Sequence, residues 1–80
     1  MTLGTSGAYA LKQGSVVTIV GVGGILKGNL PVGWRPAENI SLASVRDATS
    51  TEVTVVLVRN NGAVLSKYGV KGAVTFIAEN

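Results

Sequence analysis

The sequence predicts a small all-β domain, an antiparallel sandwich or barrel of about seven short strands that functions as an oligomer. Three observations carry this reading. β-Branched runs recur along the chain, and Val supplies much of its 46% apolar content. Such side chains are stiff in a helix and suit a pleated surface. Glycines or prolines interrupt every candidate helical stripe within a couple of turns. Short apolar runs alternate with turn signals at the spacing typical of sandwiches and barrels.

The strands follow in order. Tyr9 to Lys12 is a weak first candidate, and Ser15 to Val20 a strong second, rich in β-branched residues. Ile25 to Asn29 and Ile40 to Val45 are weaker. Between them Leu30-Pro31-Val32-Gly33-Trp34-Arg35-Pro36 must be irregular, because both prolines fix φ and push the preceding residue to extended shapes. Ala48 to Thr51 is a polar loop. Glu52 to Arg59 is the clearest strand, with Val53, Val55 and Leu57 facing one way and Val56 and Val58 the other. A sandwich strand needs only one apolar face. Two mean either a strand central between layers or a face covered by another subunit. Asn60-Asn61-Gly62 is a hairpin signal with positive φ expected at both turn positions, and Ala63 to Lys67 returns beside it. Tyr68 to Gly72 reads as a further turn, and Ala73 to Ala78 as the last strand. Residues 1–7 read as a flexible leader and 8–80 as one β domain.

An 80-residue chain builds a core of marginal stability. Small modules compensate with disulfides, a metal or association. The chain has no Cys and no His, so disulfides, thiolate ligands and imidazole ligands are all excluded. Association is left. No stretch approaches the ~18 uninterrupted apolar residues of a membrane helix, so membrane insertion is not expected. The net charge of +3 comes from basic residues that do not cluster, which reads as a solvated surface.

Catalysis is not expected. No His or Cys is present to act as base or nucleophile. Glu38, Asp47, Glu52 and Glu79 lie in separate segments, with nothing to pair two of them as glycoside hydrolysis requires. Gly21-Val22-Gly23-Gly24 after an apolar strand suggests a dinucleotide loop, but the third fingerprint glycine falls on Leu26. A helix there would also have to contain Gly28 and stop before Pro31, too short to present an N-terminus to a pyrophosphate. The stretch reads as a bend or bulge between strands. Asn39-Ile40-Ser41 matches a glycosylation pattern that occurs often by chance, and reads as a strand start. No cofactor and no metal are expected.

The proline-bracketed loop places Trp34, a large apolar plate, beside Arg35, a fixed donor fork. It reads either as a recognition loop or as a clamp on the end of the core, and the clamp is favoured in a protein so poor in aromatics. The run Leu30 to Pro36 also resembles the LP-x-G-(Y/W)-RP signature of phage tail fibre and baseplate proteins, common near their C-termini. Those proteins typically place a G-x-V-V-x-(I/L/V) strand before it, as in Gly14 to Ile19 here. They place a V-x-(I/V)-x-x-(D/N)-G-x-(V/L) hairpin after it, as in Val56 to Val64, and end on an apolar strand. The ordered match runs from about Lys12 onward.

This resemblance implies a β head, usually trimeric, in the virion at a tail tip or baseplate, assembled in the bacterial cytoplasm. Its implied partners are identical copies, other tail proteins and a host cell-wall saccharide bound through many weak sites at once. The site residues expected are Trp34, Arg35 and Tyr68, with Asn61 fourth. A small oligonucleotide-binding barrel and a purely structural connector are the alternatives. Nucleic acid is disfavoured by the scarcity of exposed aromatics near basic residues.

Overall fold

The structure, a computed structural model, describes residues 1–3, 7–46 and 52–79. It is all-β, with no helix among the described residues. The strands are β1 (Thr2–Leu3), β2 (Ala8–Gln13), β3 (Val16–Gly24), β4 (Lys27–Asn29), β5 (Ile40–Val45), β6 (Val53–Val58), β7 (Ala63–Ser66) and β8 (Val70–Ile77). They form two four-stranded sheets, ordered β1-β2-β3-β8 and β4-β7-β6-β5. Every pairing is antiparallel. A bridge between Arg46 and Val70 joins the sheets along the β5–β8 side, and β1 touches β4 on the other. The result is a sandwich flattened from a nearly closed barrel, measuring 33 × 21 × 19 Å.

Alternation along the strands fills the interior. Ala8 and Ala10 of β2, Val17 and Ile19 of β3, and Val74 and Phe76 of β8 face Val56 and Val58 of β6 and Val64 of β7. Leu3, Leu26 and Leu30 complete the core from the β1–β4 side. The two leucines flanking β4 are as buried as any strand residue, because that short strand supplies few large side chains itself.

Three expectations need correction. The expected leader is part of the fold at its start: Thr2–Leu3 pairs with Tyr9 and Ala8 and is an eighth strand. Leu3 is fully buried, and the Met1 ammonium donates to the Ala10 carbonyl. A two-residue strand has no periodicity to read, so only its partner reveals it. The Tyr68–Gly72 turn is shorter than expected, since β8 begins at Val70 and Val70 is buried. The Asn-Gly hairpin has positive φ at Gly62 alone, at 98°. Gly62 N–H donates to Arg59 C=O, and Arg59 N–H donates to Ala63 C=O. This is a three-residue loop, a type I turn closed by one left-handed residue, rather than the two-residue mirror-image turn. The expected polar loop at Ala48 to Thr51 lies outside the described residues.

β6 shows the anticipated two apolar faces. Thr54, Val56 and Val58 point into the core, whereas Val53 is 74% and Val55 55% exposed. With two layers among the described residues, the strand is not central, and its second face meets solvent. The pairing register extends that face across the sheet through Val45 and Ala43 of β5 and Leu65 of β7. The opposite sheet behaves alike: Tyr9, Leu11, Val16, Val22 and Ile77 are all exposed. Within β3 the register shifts between Val22 and Gly24, the bulge expected of the glycine-rich stretch.

Candidate functional site

Antiparallel connectivity sorts the loops to two ends of the sandwich. One end gathers the Gln13–Ser15 turn, the 30–39 loop, the β6–β7 hairpin and the segment after β8. Backbone bonds tie these together: Leu30 N–H to Gly62 C=O at 2.8 Å, Ala78 N–H to Ser15 C=O at 2.7 Å, and Glu79 N–H to Arg35 C=O at 2.8 Å. The Asn39 side chain accepts from Asn60 N–H at 2.9 Å. Ile40 opens β5, the strand start that the Asn39-Ile40-Ser41 sequence suggested.

Three of the four expected site residues lie at this end. Trp34 N–H donates to Pro31 C=O at 3.1 Å, closing a turn that leaves Val32 78% exposed at its tip. Trp34 itself is half-buried against the core. The Arg35 guanidinium folds back, its Nε–H donating to Leu30 C=O at 2.9 Å, and lies against Gly62. Asn61 Oδ1 accepts from Ala63 N–H at 3.0 Å. All three therefore make contacts that hold the loop end together, which is the clamp geometry. Removing the Arg35 fork strands a half-buried carbonyl and a patch of packing. Arg35→Ala is expected to destabilise the fold by about 1–3 kcal/mol, and Arg35→Lys to restore little of that, because an ammonium lacks the planar fork. Urea unfolding of the three proteins checks both.

Tyr68 lies at the other end, with β7 between it and Asn61. Its ring is exposed at 41%. The Arg46 guanidinium sits 4.0 Å from the ring centroid and the Lys67 ammonium 5.5 Å from it. Arg46 Nη1 also pairs with Glu52 at 2.8 Å, a pair exposed enough to contribute little stability. Ser66 Oγ donates to Tyr68 C=O and accepts from Leu26 N–H, fixing the turn. Arg46 was missed as a neighbour of Tyr68, because the two meet only through the β5–β8 seam. An exposed aromatic therefore does lie among basic residues, against the expectation used to disfavour nucleic acid. It is a single ring with one cation already stacked on it, short of a platform for successive bases.

Two shallow grooves lie on the surface of the described residues. One of about 430 Å³ is lined by Pro36, Ala37, Glu38, Ile40, Ile77 and Glu79. It brings together two carboxylates that the sequence separates by half the chain. The other, of about 350 Å³, runs over Leu11, Lys12, Gln13, Val16 and Thr18 on the outer face of the β1-β2-β3-β8 sheet. Among the described residues no three carboxylates cluster in a way that could hold a metal, and no helix is long and apolar enough to cross a membrane. Comparison with protein-family models, curated proteins and solved structures finds no match.

Proposed function

We propose that this domain is an oligomeric, non-enzymatic head of a phage tail tip or baseplate, a homotrimer that contacts a host cell-wall saccharide through several copies at once. The observation that carries the reading is the pair of outward sheet faces. The domain has already filled its core, yet it holds Val53, Val55, Leu11 and Ile77 more than half exposed. Large contiguous apolar patches of this kind mark interaction surfaces. The tail assignment comes from the ordered resemblance around Leu30 to Pro36. Saccharide contact falls to the loop end, where Val32 and Asn61 are exposed and Trp34 keeps a solvent-facing part. Tyr68, at the far end, stands apart from that loop end, with Arg46 and Lys67 against its ring.

One observation favours a second reading, a structural connector: Trp34, Arg35 and Asn61 each make an internal contact. Sedimentation of the purified chain, followed by binding to immobilised cell-wall glycans, distinguishes the two. A trimer that binds at high protein concentration supports the head, with Trp34→Ala weakening the binding. A trimer that binds no glycan leaves the connector. A stable monomer at high micromolar concentration would sink both.

A further inference from the structure

We infer that the copies meet groove to groove, the groove over Leu11, Lys12 and Val16 of one seated against the groove between Ile40 and Ile77 of the next. The inference rests on the self-association in the functional reading above and names the surfaces that carry it.

Charge selects the two surfaces. The larger groove carries Glu38 and Glu79 and no basic side chain, and the smaller carries Lys12 and no acidic one. Among the described residues the ion pair is Arg46 with Glu52 alone, so these three charges are left for a partner. Either groove against its own copy would set like charges together, four carboxylates in one case and two ammonium groups in the other. Groove against groove sets Lys12 between two carboxylates and lays Leu11 and Val16 on Ile40 and Ile77. Complementary charge of this kind chooses the partner surface and its register more than it adds affinity. The apolar contact supplies the affinity.

Position lets the contact close. Taken round the domain the strands run β1-β2-β3-β8-β5-β6-β7-β4, with the Arg46–Val70 bridge and the β1–β4 contact joining the two sheets. The smaller groove lies over β2 and β3, and the larger between β8 and β5. Two strands of eight separate them, a quarter turn of about 90° in a round barrel. Flattening narrows that angle, because Ile77 lies in the same sheet as Val16 and directly opposite it in the register. Surfaces that point in opposite directions build an open filament, whereas surfaces about 60° apart close a ring of three and surfaces about 90° apart a ring of four. The grooves fall in the closing range. They also flank the loop end without using its tip, so Val32 and Asn61 stay outward for the saccharide.

Charge exchange tests it. Lys12, Glu38 and Glu79 are all exposed, so each variant should fold, as far-UV circular dichroism checks. In analytical ultracentrifugation at low salt, Lys12→Glu is expected to raise the concentration at which the trimer dissociates by about tenfold or more. The double variant Glu38→Lys, Glu79→Lys should do the same. With all three substitutions in one chain, a carboxylate again faces two ammonium groups, and the unmutated dissociation concentration should return. Lys27→Glu, the same charge change on the opposite sheet, should leave it unaltered. A trimer indifferent to both groove variants overturns the inference and leaves the functional reading in place, as does a triple variant that stays as dissociated as they are. A mass for the unmutated chain that climbs without limit also overturns it, since the contact then fails to close. An unmutated chain that is itself monomeric removes the functional reading as well.

Discussion

Gly62→Ala is expected to be among the most damaging single-methyl additions in the protein, destabilising it by about 3 kcal/mol or more. Two costs add. Gly62 sits at φ 98°, where a Cβ carries a backbone penalty of about 1–2 kcal/mol. The added carbon would also lie 2.5 Å from Leu30 O and 2.7 Å from Arg35 Nε. Leu30 O is backbone and already accepts the Arg35 hydrogen bond, so it has little freedom to retreat. Either the hairpin opens or the proline loop lifts away, and the Leu30 N–H to Gly62 C=O bond is lost in both cases. For a domain this size each kcal/mol moves Tm by about 4–8 °C, so a fall of roughly 12 °C or more is expected by calorimetry. The Arg35 contact adds a signature. In an Arg35→Ala background one of the two clashes is gone, so Gly62→Ala should cost less there than in the unmutated chain. Equal costs in both backgrounds would mean that Arg35 does not press on the hairpin.

The same contact shows what the sequence could reveal. The proline loop and the Asn-Gly hairpin each announce themselves locally, through fixed φ and through turn chemistry. Nothing in either run says that they interlock, because the meeting of Leu30, Arg35 and Gly62 depends on how β4, β7 and β6 align. Strand content follows a similar division. Val16 to Val20 and Val53 to Val58 are legible because β-branched residues crowd uninterrupted runs. The start of β8 is not: Tyr68-Gly69-Val70-Lys71-Gly72 carries turn residues, and it is strand because Val70 is drawn into the core beside Gly21. β1 is too short for any pattern. Among the candidate site residues, the sequence picks out Trp34 and Arg35 by type. It does not show that Tyr68 stands apart from them, or that Arg46 covers its ring, since both follow from the seam between sheets. The two-faced character of β6 is the one tertiary property written in the local sequence, because alternation reports both faces of a strand at once.

Gly21→Ala is expected to cost about 2–3 kcal/mol by a different route. Gly21 has an ordinary strand φ, so alanine pays no backbone penalty and the effect is wholly steric. Its Cβ would lie 2.5 Å from Val70 O and 2.8 Å from Val70 Cγ1. Val70 is where β8 leaves the Tyr68 turn and bridges to Arg46, so a methyl group at Gly21 acts as a wedge in the seam that holds the two sheets together. The nearest atom is a carbonyl oxygen rather than the side chain. Trimming the side chain therefore should not relieve the clash, and Val70→Ala adds a cavity of its own at a buried position. The Gly21→Ala, Val70→Ala double variant is expected to melt below either single variant. Rescue by Val70→Ala would show that the side chain, and not the backbone of β8, is the obstacle. Amide exchange locates the damage: Lys71 and Arg46 should exchange faster in Gly21→Ala, while Val17 and Ile19 at the far end of β3 stay protected. Uniform acceleration across β3 would mean that the seam and the core open as one unit. Local acceleration makes the β5–β8 seam the weak side of the sandwich, and Arg46 and Tyr68 the groups that move when it opens.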